Sequence, residues 1–260
     1  YDGQAIMVLD NTCSNKPTEM WVSKRDLTND EELPGATLAI KDMDGNIVTT
    51  WVSTDEPHRV TGLHFGESYT LTEIRAADGY ALADNITFRL IQKTDEGGNP
   101  LEECEVYYLT TKNILFWKWD DWRLLDDATV IMRDDITKVQ ISKKDLTTKE
   151  ELPGAELTLT DEKGNEIDRW VSTDAPHYME RLPAGKYTLT EVTAPDGYAI
   201  AERVGFEVLP TGEVQTFEMF DDTIKVKISK VDITTNEELP GAELVIKDKD
   251  GTEIDRWIST

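Results

Sequence analysis

The sequence predicts an all-β protein made of tandem antiparallel β-sandwiches arranged as an elongated rod. Three observations predict it. One phrase recurs three times with fixed internal spacing, the stretches between copies alternate apolar and polar residues, and no segment sustains a helical period.

The phrase reads "KRDLTNDEELPGATL" from Lys24, "KKDLTTKEELPGAEL" from Lys143 and "KVDITTNEELPGAEL" from Lys230. From Lys to Pro the interval is ten in each copy, ending at Pro34, Pro153 and Pro240. A turn follows each time ("KDMDGNIV", "TDEKGNEI", "KDKDGTEI"), then a tryptophan seventeen residues after the Pro, at Trp51, Trp170 and Trp257. Identical offsets place Trp51 and Trp170 in equivalent, largely buried positions. Two copies continue into "YTLTEIRAADGY" and "YTLTEVTAPDGY" and close on "VIMRDD" and "FEMFDD". "ELTLTD", "YTLTEV", "KVQISK" and "KVKISK" carry the period of half-buried strands. Asp-Gly, Lys-Gly-Asn and Ala-Gly-Lys supply the turns between them.

These matches divide the chain. Residues 1–11 read as the last strand of a preceding module, 12–134 as module one with an insertion near 93–129, 135–222 as module two, and 223–260 as the first part of a third. Each complete module is long enough to bury a modest core. A formal net charge of −25 repels phosphate backbones and anionic lipid, which excludes nucleic acid and membrane surfaces as natural partners. No apolar run is long enough to span a bilayer, so this segment inserts in no membrane as a helix.

Lys-x-Asp, "LPGA", "YTLTE..APDGY" and a final strand ending in Asp, in that order, resemble the Cna-B/SpaA family. These are the Ig-like repeat domains of Gram-positive surface proteins and pilins, and the likeness covers nearly the whole chain. It implies an extracellular location at the cell surface or cell wall. It also implies a covalent bond between the first-strand Lys and the last-strand Asp, assisted by the Glu of "YTLTE". The implied sets are Lys24, Glu73 and Asp134, and Lys143, Glu191 and Asp221, with Asp135 and Asp222 as alternative acceptors. Lys230 would be an unpaired nucleophile in the third unit. Module one departs from the pattern at Ala77, where module two has Pro195, and in its longer Glu-to-Asp interval.

The chemistry has a rationale of its own. Burial disfavours charge, so a dry pocket favours neutral amine and neutral acid over an ion pair. A neutral amine is a nucleophile, and a neighbouring carboxylic acid can carry protons as water is lost. Fixed proximity is worth on the order of 7–11 kcal/mol of barrier. A link from Lys143 to Asp221 encloses most of a module, and by analogy with disulfide loop closure it stabilises by roughly 4 kcal/mol. Without the motif order, the same residues would read as charges on solvated strand faces.

Several other features of the sequence admit readings of their own. "ILFWKWDDWRLL" in the insertion carries Trp117, Trp119 and Trp122, which either pack on the sandwich or form a platform for a glycan or host protein. Cys13 and Cys104 suit an extracellular disulfide, although sequence does not show them to be close. His58 and His177 follow Pro in matching phrases and read as packing or turn residues, with no metal-ligand spacing. No cofactor or metal is called for, and no catalytic set for turnover chemistry is present. The sequence therefore points to stalk or shaft repeats of a pilin or adhesin. Their partners are neighbouring modules, other pilin or adhesin subunits, or a host glycan or matrix protein. The alternative is a ligand-binding adhesin module using the tryptophan-rich insertion.

Overall fold

The computed structural model describes residues 18–114, 117–125 and 127–260, and of these it describes no side chain at 102, 111–114 or 117–119. The terminal strand expected within residues 1–11 lies outside the described residues. So does Cys13, and with it the suggested bridge to Cys104.

The first repeat holds nine strands: β1 (Glu19–Asp26), β2 (Thr37–Lys41), β3 (Ile47–Val52), β4 (His58–Thr61), β5 (Ser68–Arg75), β6 (Ile86–Thr94), β7 (Pro100–Ile114), β8 (Trp117–Leu124) and β9 (Thr129–Asp134). They form a three-stranded sheet, β4-β1-β9, and a six-stranded sheet, β3-β2-β5-β6-β7-β8. The second repeat follows with β10 (Lys138–Asp145), β11 (Glu156–Asp161), β12 (Glu166–Val171), β13 (His177–Glu180), β14 (Gly185–Thr193), β15 (Val204–Val208) and β16 (Val214–Asp221). Its sheets are β13-β10-β16 and β12-β11-β14-β15. A further hairpin, β17 (Glu243–Lys247) with β18 (Glu253–Ile258), matches β2–β3 and β11–β12. No helix occurs among the described residues, and none there could cross a membrane.

Period-two alternation builds the two cores. In β5, Tyr69, Leu71 and Glu73 are buried while Thr70 and Thr72 between them are half-buried. Tyr69 and Leu71 join Met20, Leu38, Phe88 and Met132 in one core, and Val139, Leu157, Leu189 and Met219 belong to a separate one. The insertion is the β7–β8 hairpin, which lengthens the first repeat's larger sheet and sends Val106 into its core.

One pairing in each repeat runs parallel within these mainly antiparallel sheets. β1 pairs with β9, and β10 with β16, side by side in the same direction. The chain leaves the small sheet after its first strand and crosses to the large sheet. It comes back along the first strand, and such a crossover return permits a parallel neighbour. The phrase's turn needs its glycine: Gly35, Gly154 and Gly241 have φ of 98°, 97° and 87°.

Trp51 and Trp170 do hold equivalent places, but both are half-buried rather than enclosed. They sit on β3 and β12, the edge strands of their sheets. One face of each indole is covered by the matching histidine, with Trp51 on His58 at 4.4 Å and Trp170 on His177 at 4.2 Å between ring centroids.

Candidate functional site

Strand register explains why a lysine and an aspartate meet in each repeat. Lys24 lies opposite Met132 in the β1–β9 pair, and Lys143 opposite Met219 in β10–β16. Asp134 and Asp221 come two residues later, so they share the lysine's face of the sheet. Glu73 and Glu191 arrive from the opposing sheet, opposite Leu38 and Leu157. Each cluster therefore spans the sandwich.

All six side chains are buried. Lys24 and Lys143 are each 2 % exposed, and Asp134 and Asp221 are 0 % and 1 %. The Lys24 Nζ contacts Asp134 Oδ1, and the Lys143 Nζ contacts Asp221 Oδ1. Each Nζ also lies beside a glutamate Oε1, at 3.1 Å from Glu73 and 3.0 Å from Glu191. The other glutamate oxygen accepts a backbone N–H, from Ala83 at 2.7 Å and from Ala201 at 2.6 Å. Glu73 Oε1, Asp134 Oδ2, Glu191 Oε1 and Asp221 Oδ2 are buried with no hydrogen-bond partner. Orphaned buried acceptors are costly, and a proton between two carboxyls would relieve two at once.

Electrostatics agrees with such protonation. Burial pushes Asp134 from 3.8 up to about 7 against the opposing pull of Lys24, and pushes Asp221 up to about 6 against Lys143. The adjoining acids are placed differently. Asp135 accepts from Lys138 Nζ at 2.8 Å, and Asp222 from Lys225 Nζ at 2.6 Å, so neither carboxylate enters a cluster. Lys230 is exposed, although its carbonyl accepts from Leu239 N–H as those of Lys24 and Lys143 accept from Leu33 and Leu152.

Of the insertion's tryptophans, Trp122 is half-buried, with the Arg89 guanidinium 4.2 Å from its ring centroid. The side chains of Trp117 and Trp119 lie outside the described residues. The Cys104 thiol donates to the Glu19 carbonyl oxygen at 3.2 Å.

Two supports repeat with the phrase and were not singled out from sequence. The aspartate of Lys-x-Asp accepts from the tyrosine of "DGY": Tyr80 donates to Asp26 at 2.8 Å and Tyr198 to Asp145 at 2.7 Å. The serine two residues after each tryptophan ties down the Leu-Pro-Gly turn. Ser53, Ser172 and Ser259 donate to the carbonyls of Leu33, Leu152 and Leu239 at 2.6, 2.7 and 2.7 Å. Fixed spacing was the available signal for both.

A family model described as a SpaA prealbumin-like fold domain matches residues 18–97 and 137–223, more than half of the chain. The chain belongs to that family, a family of structural domains rather than enzymes. Among solved structures, the Bacillus anthracis TIE protein is similar at 24% identity over 94% of this chain and 41% of that one, with a TM-score of 0.46. The shaft pilin spaA of Lactobacillus rhamnosus GG is similar at 13% identity, covering 82% of this chain and 100% of that one, with a TM-score of 0.32. A C-terminal fragment of the pilus adhesin SpaC from the same organism gives 17%, 82% and 100%, with a TM-score of 0.39. The chain thus spans well under half the length of the TIE protein chain. No curated protein matches the sequence.

Proposed function

We propose that this chain is a run of structural repeats from a surface protein of a Gram-positive bacterium, a pilus shaft or adhesin stalk. Each repeat is clamped by an amide that it forms itself, between Lys24 and Asp134 in the first and Lys143 and Asp221 in the second. The observation that carries this reading is a buried Lys–Asp–Glu cluster occurring twice, each time joining a repeat's first strand to its last.

In the proposed step, Lys24 Nζ attacks Asp134 Cγ, a C–N bond forms and a C–O bond breaks. Two hydrogens from the amine and hydroxyl side leave with the departing oxygen as water, so nothing is oxidised or reduced. Burial supports the neutral acid, whose hydroxyl departs more easily than an oxide. Glu73 Oε1, beside Nζ and otherwise unpartnered, is placed to take the amine proton and return it to the leaving oxygen. Glu191 does the same for Lys143.

Such a bond suits a load-bearing element. The linked residues are 110 and 78 apart in sequence, yet their strands are neighbours. Tension entering along β1 would leave through β9 across the amide, sparing the enclosed strands. Repeats set end to end in this way make a stalk, whose partners are adjoining repeats and other pilus subunits. The intact mass of the folded chain tests the reading: one water should be missing for each clamped repeat.

A further inference from the structure

Arg181, the residue after β13, has φ 59°, a left-handed conformation that side chains other than glycine rarely adopt. Its counterpart after β4 is Gly62, at φ 82°. The two occupy one position: Gly62 N–H donates to Thr18 O and Arg181 N–H to Thr137 O, at 3.2 and 2.9 Å. The second repeat thus carries a strained arginine where the first uses glycine, and strain of this kind persists only where surrounding contacts hold it.

The guanidinium reaches into the first repeat. Arg181 Nη2 donates to Asp26 Oδ2 at 2.9 Å, Nη1 donates to the Tyr80 hydroxyl, and the group lies 4.8 Å from the Tyr80 ring centroid. The backbones meet as closely, since a Cβ on Gly79 would come within 2.6 Å of the Arg181 carbonyl oxygen. Two residues beyond Tyr80, Leu82 N–H donates to the Pro210 carbonyl at 3.0 Å, a second grip from the second repeat. The next residue is Ala83, whose N–H holds Glu73 Oε2.

We infer that the second repeat positions Glu73: Arg181 and the Pro210 carbonyl pin the 79–83 loop that aims this acid at Lys24. The inference rests on the clamp reading above, in which Glu73 moves protons. The second repeat supplies its own comparison. Tyr198, Ala199 and Ala201 bond to Asp145, Asp222 and Glu191 as Tyr80, Ala81 and Ala83 bond to Asp26, Asp135 and Glu73. Ile200, the counterpart of Leu82, is 63% exposed, and the contacts holding this loop come from its own repeat and the adjoining residues. Arg181 touches none of the reacting atoms, so it is a positioning residue.

The test is a time course on the full chain. Wild type, Arg181→Ala and Arg181→Lys are made by cell-free synthesis, quenched in denaturant at intervals and digested. Peptides joined through Lys24–Asp134 and Lys143–Asp221 are then quantified by mass spectrometry. Arg181→Ala should slow the first bond on the order of tenfold, as a misaimed proton carrier would, and leave the second at its wild-type rate. Arg181→Lys, which keeps charge but loses the two-pronged contact, should fall between. Equal rates for the first bond in all three proteins would overturn the inference. So would equal slowing of both bonds, which would mark Arg181 as a folding residue of its own repeat. Absence of either bond in wild type would instead remove the clamp reading itself.

Discussion

Asp26 and Asp134 lie directly opposite one another in the β1–β9 pair, yet their carboxyl groups are driven in opposite directions. Burial raises Asp134 to about 7. Burial also acts on Asp26, but hydrogen bonds from Arg181 and the Thr28 backbone outweigh it and hold the group below its usual value. One strand pair thus holds an acid kept ionised at the contact with the second repeat and an acid pushed toward its neutral form two residues along from Lys24.

The two clamps should form independently, because their clusters sit in separate cores. Glu73→Ala should abolish the Lys24–Asp134 bond alone, and Glu191→Ala the Lys143–Asp221 bond alone. Each loss should cost its repeat about 4–5 kcal/mol by the loop-closure relation, read as a lower midpoint in denaturant unfolding. A single substitution that removes both bonds would contradict this.

Unlinked protein should acquire a pH dependence that the linked protein lacks. In a Glu73→Gln/Glu191→Gln chain, burial, the largest influence on both aspartates, is retained. With the glutamates' smaller upward push removed, both aspartates should still stand above the unfolded 3.8. The stability they contribute is complete below 3.8 and is lost as pH rises through their raised folded values. Melting temperature should therefore fall between pH 4 and pH 7.5 more steeply than in wild type, whose aspartates the proposed clamps would consume in amides. Parallel curves would show that these carboxyls are not held protonated.

Ser172→Ala should destabilise the second repeat without touching its chemistry. The hydroxyl donates to Leu152 O and accepts from Ala155 N–H at 2.9 Å, both in buried surroundings. Orphaning them should cost about 1–3 kcal/mol. The mass should still show the bond, and a chain that lost it would assign Ser172 a part in the reaction.

Much of this was legible in the sequence because repetition fixes spacing. The sets of Lys24, Glu73 and Asp134 and of Lys143, Glu191 and Asp221 are implied by the family resemblance that the motifs carry, and strand alternation does turn Glu73 and Glu191 inward. The parallel pairing of first and last strands was not legible, since alternation is the same in either direction. The depth of Trp51 and Trp170 was overestimated because periodicity does not reveal which strand lies at a sheet's edge. Arg181 carries no sequence signal because it is where the repeat fails: its counterpart is Gly62, and a contact between repeats leaves no period within one.

Locating the cross-links themselves tests the proposed clamps most directly. The folded chain should be digested and its branched peptides sequenced by tandem mass spectrometry. The account predicts two cross-links, Lys24 to Asp134 and Lys143 to Asp221, and no modification of Lys230, Asp135 or Asp222. Linear, unmodified peptides spanning Lys24 and Lys143 would contradict it, leaving the sandwiches intact and the clamps as buried ion pairs.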